Sequence, residues 1–490
     1  MKEKVLAFFI PRLRDIFFLA LFASVALMGP RLFNQDGDLG RHITIGNVIL
    51  DQRHIPTTDL FSHTMNGAPL TPHEWLAQAT FALAHRLLGL DGIVILTALV
   101  LSLAFTLLYN EILRRGTNPL LAIVLTLLAA AASSVHFLAR PHIFTILFLA
   151  IWTPIVMRAE RGEDHKSVFF LPPIMFVWAN THGAYIAGLI VGGAALAGAT
   201  WEWTRKQLPF DSVKRLALAG LASVLVLFVN PGGADLLKTS FGYIQNKYLV
   251  SHTQEYLPPN FHNPGFLPFL LLLAVMIFCF SRGWKRLRLS EGLLAAGWTA
   301  MSLYSARNIP LFAIVVTPII ASTIQAGMED IQIFVRIGDS LRDMEKQMRG
   351  ILWPLGSIIM ILGLSLNGFF STYNSYDPRV FPEQAMDWLE THPQRGNMFN
   401  YFTWGGYILY RSWPQNLVFI DGQTDFYGEA LTREYEQATT LSTGWEKVLF
   451  KYNVEWVILP PDTALVRTLK NNPAWETLYE DSTAIILQQK

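Results

Sequence analysis

The chain has 490 residues, of which 52% are hydrophobic and only 15% are charged, and its formal net charge is +1. Soluble domains carry about 25% charged residues, so this composition excludes an ordinary soluble protein and predicts an integral membrane protein. The near-neutral charge provides no basic footprint for nucleic acid, and a single cysteine, Cys279, excludes an intramolecular disulfide.

Apolar segments recur along the first 370 residues. A membrane-spanning helix needs about 20 mostly apolar residues, and about eleven segments approach this length. They lie near residues 16–33, 91–113, 118–135, 141–157, 167–180, 184–203, 213–230, 264–281, 291–306, 308–326 and 351–370. No small-residue cleavage site follows the first segment, so it is predicted to be an uncleaved span rather than a signal peptide.

Basic residues are distributed unevenly between the connections. If successive connections alternate between the two sides, one side receives 21 of the 29 Lys and Arg residues before residue 371. Basic residues concentrate in cytoplasmic loops, so the N-terminus is predicted to be cytoplasmic, and the first loop and the C-terminal region extracytoplasmic. Ten of the twelve histidines fall on the extracytoplasmic side. Since histidine readily binds metals, phosphate or protons near neutral pH, chemistry is expected there.

A long loop over residues 34–90 follows the first span. Its segment DGDLGRHITIGNVIL places apolar residues on one helical stripe, which predicts a short helix over 39–51 lying in the membrane interface. A second such helix is predicted over 73–90. The stretch between them is rich in turn residues and is predicted to be an ordered loop or small hairpin.

Two later regions are also predicted to lie outside the membrane. Residues 231–263 form a second long loop whose aromatic side chains favour order. From residue 371 onward the composition becomes that of a soluble domain. There, helix-like EQAMDWLETH and TREYEQATTLSTGWEKVLFKY alternate with strand-like NMFNYF, NLVFID and VEWVILP, before a final hairpin. The alternation predicts a small α/β domain over 371–490, after a transmembrane module over 1–370.

Asp36 and Asp38 stand where the first span ends. A transferase that acts on a hydroxyl needs a base within hydrogen-bond reach of that hydroxyl, and Asp38, with Asp36 as partner, is the catalytic candidate. The alternative is structural, with Asp38 capping the helix and Asp36 in a solvated turn. A D-x-D triplet is weak evidence alone, but charges are not needed for solubility at this position.

His73 and Glu74 end the same loop. Position 77 is alanine, so the metalloprotease pattern H-E-x-x-H is absent. Both residues can serve simply to cap the following helix. Alternatively, they close over the Asp38 site, with His73 near phosphate and with Glu74 and His42 binding or positioning the acceptor.

Polar residues also occur at tight turns between later predicted spans, in ARPH, NTHG and ARNIP. Ionisable residues at membrane depth are functional candidates, although any one arginine can instead snorkel to lipid headgroups. Because arginine forks match phosphate oxygens, these turns predict a phosphate site. Its residues are Arg140, His142, His182 and Arg307, with Asn180 as a positioning residue.

This layout resembles the GT-C membrane glycosyltransferases, in particular bacterial relatives of the protein mannosyltransferase and aminoarabinose transferase group. The resemblance in layout covers most of residues 10–370. In local sequence it is strongest over 36–90, and it extends to ARPHIFT, WANTHGAY, RNIPLFA and WGGYILY…VFIDGQTDFYG. The D-G-D triplet fits the family's carboxylate motif loosely, and some relatives have lysine where this chain has His73.

The resemblance implies an inverting glycosyltransferase that uses a polyprenyl-phosphate sugar, in the bacterial cytoplasmic membrane. By position, Asp38 corresponds to the family's catalytic carboxylate and Asp36 to its partner. Members differ in whether they need a divalent cation, with Asp36 and His73 as candidate ligands here. The acceptor stays open among lipid, glycan and protein.

Two other classes of function remain as alternatives. A lipid or glycan transporter would place ionisable residues near the centres of the spans, where Asp and Glu are nearly absent. A non-catalytic scaffold would bind glycan through its outer domain and would tolerate loss of the Asp38 carboxylate.

Overall fold

The computed structural model describes residues 9–164, 166–348, 350, 352–370 and 373–490. The predicted domain boundary at residue 371 lies outside the described residues. The helices are, in chain order, α1 Leu13–Met28, α2 Arg31–Asn34, α3 Leu39–Gln52, α4 Trp75–Arg114, α5 Pro119–Ser133, α6 His142–Glu160, α7 Leu171–Ala179, α8 Ile186–Thr204, α9 Phe210–Leu225, α10 Asp235–Gln245, α11 Lys247–His252, α12 Leu267–Gly283, α13 Leu289–Tyr304, α14 Ile309–Gly327, α15 Gln332–Gln347, α16 Leu352–Leu366, α17 Glu383–Thr391, α18 Gly405–Ser412, α19 Thr424–Thr439, α20 Trp445–Lys451 and α21 Ala464–Lys470.

Every predicted span coincides with a helix. Among the described residues, seven helical segments are long and apolar enough to cross a membrane, namely Trp75–Arg114, Pro119–His136, His142–Glu160, Gly183–Thr204, Phe210–Val229, Pro264–Gly283 and Ala306–Gly327. The other predicted spans coincide with the shorter helices α1, α7, α13 and α16. The predicted class, a polytopic helical membrane protein with a small C-terminal sheet domain, is confirmed.

The helical module has buried central helices and apolar peripheral ones. Every residue of α14 from Ile309 to Ala321 is buried, whereas α9 and α12 leave large apolar side chains such as Leu221 and Phe278 exposed. Lipid chains are as apolar as leucine, so exposed apolar faces are expected on the outside of a membrane bundle.

Both helices predicted in the first loop form, and each is part of the packed helical module. The predicted helix over 39–51 is α3, and its residues Leu39–Gly46 are all buried because α3 packs between α4 and α18. Protein segments therefore cover this half of α3, and its position in the membrane interface stays a prediction. The predicted helix over 73–90 is the first part of α4, which continues into the next span through a break at Leu88 and Gly89.

The C-terminal domain is a mixed four-stranded sheet with helices. Its strands are β1 Asn397–Asn400, β2 Val454–Leu459, β3 Trp475–Glu480 and β4 Ile485–Gln489, in the order β1-β2-β4-β3. β1 and β2 are parallel, and the other two pairs are antiparallel. This confirms the predicted α/β domain, its final hairpin and most of its elements.

The predicted strand NLVFID does not join this sheet. Its backbone pairs instead with the first loop, where Val418 N donates to Phe61 O at 3.1 Å and His63 N donates to Val418 O at 3.0 Å. Thr64 Oγ1 adds a hydrogen bond to Phe419 O at 2.6 Å. The strand prediction is therefore wrong, because long-range contacts with the first loop satisfy this backbone. These contacts fasten the first loop to the C-terminal domain.

Candidate active site

A cavity of about 300 Å³ lies at the end of the spans where α3 begins. Residues of α3, α6, α8, α13, α14, the second long loop and the C-terminal domain all contribute to its wall. One part of the cavity is lined by carboxylates, histidines and arginines. The other part is apolar and lies between spans, lined by Ile146, Ile186, Ile190, Trp298, Met301 and Leu311.

Arg140 holds three carboxylates together in the polar part. Its Nε lies 3.1 Å from Asp36 Oδ2, its Nη2 lies 2.6 Å from Asp38 Oδ2, and its Nη1 pairs with Glu255 Oε1. The Asp38 backbone N–H also donates to Asp36 Oδ1 at 3.3 Å. The guanidinium therefore uses each of its three nitrogens for a different carboxylate, and it fixes the position of Asp38.

The carboxylates around Arg140 titrate differently. Burial, together with the negative charges of Asp38 and Glu255, raises the pKa of Asp36 to about 7 against the opposing effect of Arg140. Burial also opposes ionisation of Glu255, but Arg140 and Arg307 outweigh it and lower the pKa of Glu255 to about 2. Glu255 is therefore a fixed negative charge, whereas Asp36 can change its protonation state near neutral pH.

His182 is oriented by groups on both of its nitrogens. Nε2 lies 3.3 Å from Arg307 Nη2, and Nδ1 lies 2.8 Å from Thr145 Oγ1. A guanidinium can only donate, so Nε2 must accept and the imidazole proton is assigned to Nδ1, which donates to Thr145. Trp178 Nε1 donates to the same hydroxyl at 2.8 Å. Burial lowers the pKa of His182 well below its usual value, and Arg307 lowers it further, so the free site holds this imidazole neutral.

Arg307 forms the other side of this part of the cavity. Its Nη1 donates to Tyr256 Oη at 2.8 Å, and its guanidinium lies 5.0 Å from the centroid of the Tyr256 ring. Glu255 Oε2 lies 3.8 Å from Nη1. The contacts of Arg307 therefore include a phenol and an imidazole, whereas Arg140 contacts three carboxylates.

Glu74 lies among three histidines. Its carboxylate oxygens are 3.8 Å from His182 Nε2, 3.9 Å from His73 Nε2 and 4.0 Å from His42 Nδ1. His73 Nε2 is also 3.8 Å from Asp425 Oδ2 of the C-terminal domain. Burial raises the pKa of Glu74. This cluster can accept hydrogen bonds from hydroxyl groups or exchange protons with them.

Eight of the ten residues predicted for the site line the cavity. They are Asp38, His42, His73, Glu74, Arg140, His142, His182 and Arg307. Asp36 lies behind Arg140 and does not line it. Asn180 is also outside the wall, because its Oδ1 accepts from Trp75 Nε1 at 2.6 Å and from Asn230 Nδ2 at 3.2 Å, which ties the start of α4 to the end of α7.

The prediction did not include several residues of the cavity wall. Glu255 and Tyr256 come from the second long loop, and Gly422, Gln423 and Asp425 come from the C-terminal domain. Two features of the sequence could have indicated these residues. One is an acidic residue inside an aromatic-rich loop, and the other is the segment DGQTD after an apolar run. Neither carries a periodicity or spacing that relates it to residue 38.

Within the described residues, no group of three or more His, Cys, Asp or Glu side chains is arranged to hold a metal ion. The two candidate ligands have different partners, since Asp36 pairs with Arg140 and His73 lies beside Glu74 and Asp425.

The fold of this chain is similar to that of proteins with solved structures. No protein-family model and no curated protein sequence matches the chain. Among solved structures, it is similar to the oligosaccharyltransferase of Archaeoglobus fulgidus in the apo form, with a TM-score of 0.54 and 12% identity over 90% of this chain and 69% of that chain. At this identity the likeness shows the fold alone, and this is the fold that the resemblance to GT-C glycosyltransferases implies.

ArnT from Cupriavidus metallidurans also resembles the chain, in two solved structures. The one bound to undecaprenyl phosphate has a TM-score of 0.48 and 15% identity. The apo structure has a TM-score of 0.48 and 13% identity. Each comparison covers 96% of this chain and 97% of ArnT.

Proposed function

We propose that the chain is an inverting glycosyltransferase that moves a sugar from a polyprenyl-phosphate donor to an acceptor hydroxyl. The reaction takes place at the extracytoplasmic face of a bacterial cytoplasmic membrane, with the N-terminus in the cytoplasm. The observation that carries the proposal is the two-part cavity, in which a carboxylate, histidines and arginines adjoin an apolar groove between spans. A donor with a hydrocarbon tail and a charged phosphate needs this combination.

The apolar part of the cavity suits the donor's lipid. Ile190, Met301 and Tyr304 line the cavity and are also exposed at the surface of the spans, so the groove reaches the lipid-facing side of the module. A chain entering from the bilayer can keep its hydrocarbon in an apolar setting while its phosphate reaches the polar part. This fits the general preference for pockets with mostly apolar walls and a few convergent polar groups.

Asp38 is the proposed base. The acceptor oxygen forms a bond to the anomeric carbon as the bond from that carbon to the phosphate oxygen breaks. The acceptor proton passes to the Asp38 carboxylate, and polyprenyl phosphate leaves. Attack from the side opposite the phosphate inverts the anomeric carbon. A positioned base of this kind contributes about 10²–10⁴-fold to a rate.

Arg307 and His182 are the proposed ligands of the departing phosphate. Arg307 lines the cavity next to His182, and its charge can stabilise the negative charge that develops on the leaving oxygen. Arg140 was predicted for the same role, but its three nitrogens already face three carboxylates. We therefore assign Arg140 to positioning Asp38, and His142 and His73 stay predicted phosphate contacts.

The test is sugar transfer by Asp38→Asn in the purified full-length protein, with a polyprenyl-phosphate hexose as donor. We expect a rate at least about 100-fold below wild type, because the amide cannot accept the proton. Asp51→Asn is the matched control, since Asp51 lies at the other end of α3 with a 65% exposed side chain. Transfer by Asp38→Asn at the wild-type rate would reject the proposal and favour a scaffold or a transporter.

A further inference from the structure

The C-terminal domain reaches directly to the proposed base. Residues 422–425 line the cavity, and Gly422 lies against the Asp38 side chain. A Cβ atom at position 422 would lie 1.6 Å from Asp38 Oδ1, so only glycine leaves room for the carboxylate in its present position. The contact joins residues that are almost four hundred positions apart in the sequence.

Glycines also allow the two backbones to approach on either side of this contact. A Cβ at Gly37 would collide with the carbonyl oxygen of Thr403, and a Cβ at Gly40 would collide with that of Gly406. Gly406 in turn has no room for a Cβ because the carbonyl oxygen of Gly37 lies there. The start of α3 and the start of α18 are therefore packed backbone against backbone.

A buried ion pair fixes the register of the two segments. Arg41 Nε lies 2.9 Å from Asp421 Oδ2, and the two side chains are 3% and 0% exposed. Asp421 also accepts from Tyr427 Oη at 3.1 Å and from the Gln423 backbone N–H at 2.9 Å. Desolvation makes buried charges costly unless geometry and hydrogen bonds compensate, and here all three partners hold Asp421 in one orientation.

The order of these residues links the ion pair to the base. Arg41 lies one helical turn beyond Asp38 on α3, and Asp421 immediately precedes Gly422. The ion pair between Arg41 and Asp421 therefore places Gly422 against the turn of α3 that carries Asp38. Arg140 holds the Asp38 carboxylate through Oδ2, while Gly422 limits the space at Oδ1.

We propose that the C-terminal domain is a fixed part of the active site, with Arg41, Asp421 and Gly422 as positioning residues that set the Asp38 carboxylate for attack. This inference rests on the proposed function for the role of Asp38, but the contact itself does not depend on it. The same segment brings Gln423 into the cavity wall. Its buried Oε1 has no hydrogen-bond partner among the described residues and is available to accept from a substrate hydroxyl.

The contact is tested by cross-linking in the full-length protein. Cys279 is the only native cysteine, so Cys279→Ser provides a background for the pair Asp38→Cys and Gly422→Cys. Since Asp38 Cγ lies 2.6 Å from the position of a Cβ at residue 422, two thiols at these positions come within disulfide reach. The control pair is Asp51→Cys with Gly422→Cys, because residue 51 lies about 20 Å further along the helix at 1.5 Å per residue. We expect at least tenfold faster disulfide formation in the first pair, and equal rates would overturn the proposal.

The ion pair is tested in the same background. Asp421→Asn should slow cross-linking of the 38–422 pair at least tenfold, because the neutral amide no longer attracts Arg41. An unchanged cross-linking rate would remove Arg41 and Asp421 from the positioning role. Neither result requires sugar transfer, so the positioning proposal can fail or succeed independently of the proposed function.

The consequence for catalysis is tested with Gly422→Ala in an otherwise native chain. The added methyl should displace the Asp38 carboxylate and lower kcat at least tenfold, while KM for the polyprenyl-phosphate donor stays within about twofold, as expected when a transition-state interaction alone is lost. Gly220→Ala on α9 is the control, because no atom lies within 4 Å of an added Cβ there. Wild-type kcat in Gly422→Ala, or a parallel loss of donor binding, would overturn the positioning role.

Discussion

Arg140 determines how charge is arranged around Asp38. Its guanidinium contacts Asp36, Asp38 and Glu255 together, and removing one partner of a buried ion pair typically costs about 3–5 kcal/mol. Lysine could not replace it, because an ammonium group lacks the planar fork that reaches several carboxylates at once. Burial is the main reason why the pKa of Asp36 is raised to about 7, and the negative charges of Asp38 and Glu255 add to the effect while Arg140 opposes it.

Asp36 should therefore make stability depend on pH. Its pKa rises from 3.8 to about 7 in the folded protein, so the native state binds more protons than the unfolded chain between these values. This contribution to stability is full below the unfolded pKa and is lost as pH rises through about 7. We expect the thermal midpoint of Asp36→Asn to increase relative to wild type between about pH 5 and about pH 8, since the amide does not titrate.

Thermal unfolding of the two proteins across this pH range measures the effect. The difference between them measures the titration that the substitution removes, because the groups remote from residue 36 are common to both. Parallel curves for variant and wild type would show that Asp36 keeps an ordinary pKa beside Arg140.

Sequence reasoning found the site residues that stand out from their surroundings. Asp38, Arg140, His182 and Arg307 are polar residues at the ends of apolar runs, and such positions are informative because charge is costly in a bilayer. Glu255 occurs in a polar loop, where an acid is unremarkable. Only the tertiary structure relates it to Arg140.

At the scale of the element, α3 carries the site because it is confined on two sides. It packs between α4 and α18, whereas its amphipathic pattern predicts a helix at the membrane surface. The same apolar stripe serves a protein interior equally well, so the pattern could predict the helix but not its neighbours. Gly40 and Gly46 of α3 both face backbone carbonyl groups of the segments packed against the helix. These glycines therefore mark the faces of α3 that its neighbours approach closely.

Gly40→Ala should weaken the junction between α3 and the C-terminal domain. The new methyl would collide with the carbonyl oxygen of Gly406, and overpacking of this kind costs about 1–3 kcal/mol. We expect a lower thermal midpoint and faster proteolysis of the C-terminal domain in the purified protein. Gly220→Ala, which meets no neighbour within 4 Å, should be neutral or slightly stabilising because alanine favours a helix. Equal behaviour of the two variants would contradict the close packing.

At the scale of the whole molecule, the bundle places an apolar groove between spans beside a polar cavity. The groove passes between spans that are remote in sequence, with Ile146 on α6, Ile190 on α8, Trp298 on α13 and Leu311 on α14. The C-terminal domain covers the polar part through Gly422–Asp425. A substrate with both a hydrocarbon tail and a hydroxyl-rich head can therefore use contacts from both halves of the chain.

Ile190→Trp should narrow the groove without disturbing the core, because Ile190 is 47% exposed and lines the cavity. We expect polyprenyl phosphate to bind at least tenfold more weakly, as measured by its effect on the thermal midpoint of the detergent-solubilised protein. Leu218→Trp on α9 is the control, since Leu218 is 55% exposed and outside the cavity wall. The groove would have no part in binding if both variants retained wild-type affinity.

The sequence by itself determined the helical spans, the soluble character of the last 120 or so residues and most of the charged residues of the site. Hydrophobic length and charge at span ends follow from the physics of a bilayer and act locally along the chain. The tertiary structure alone decided the pairing of Arg41 with Asp421, the seating of Gly422 on Asp38 and the placement of residues 416–421 against the first loop. These contacts join segments that are distant in the sequence through an ion pair, close packing and backbone hydrogen bonds. None of these interactions produces a periodic pattern in a single sequence.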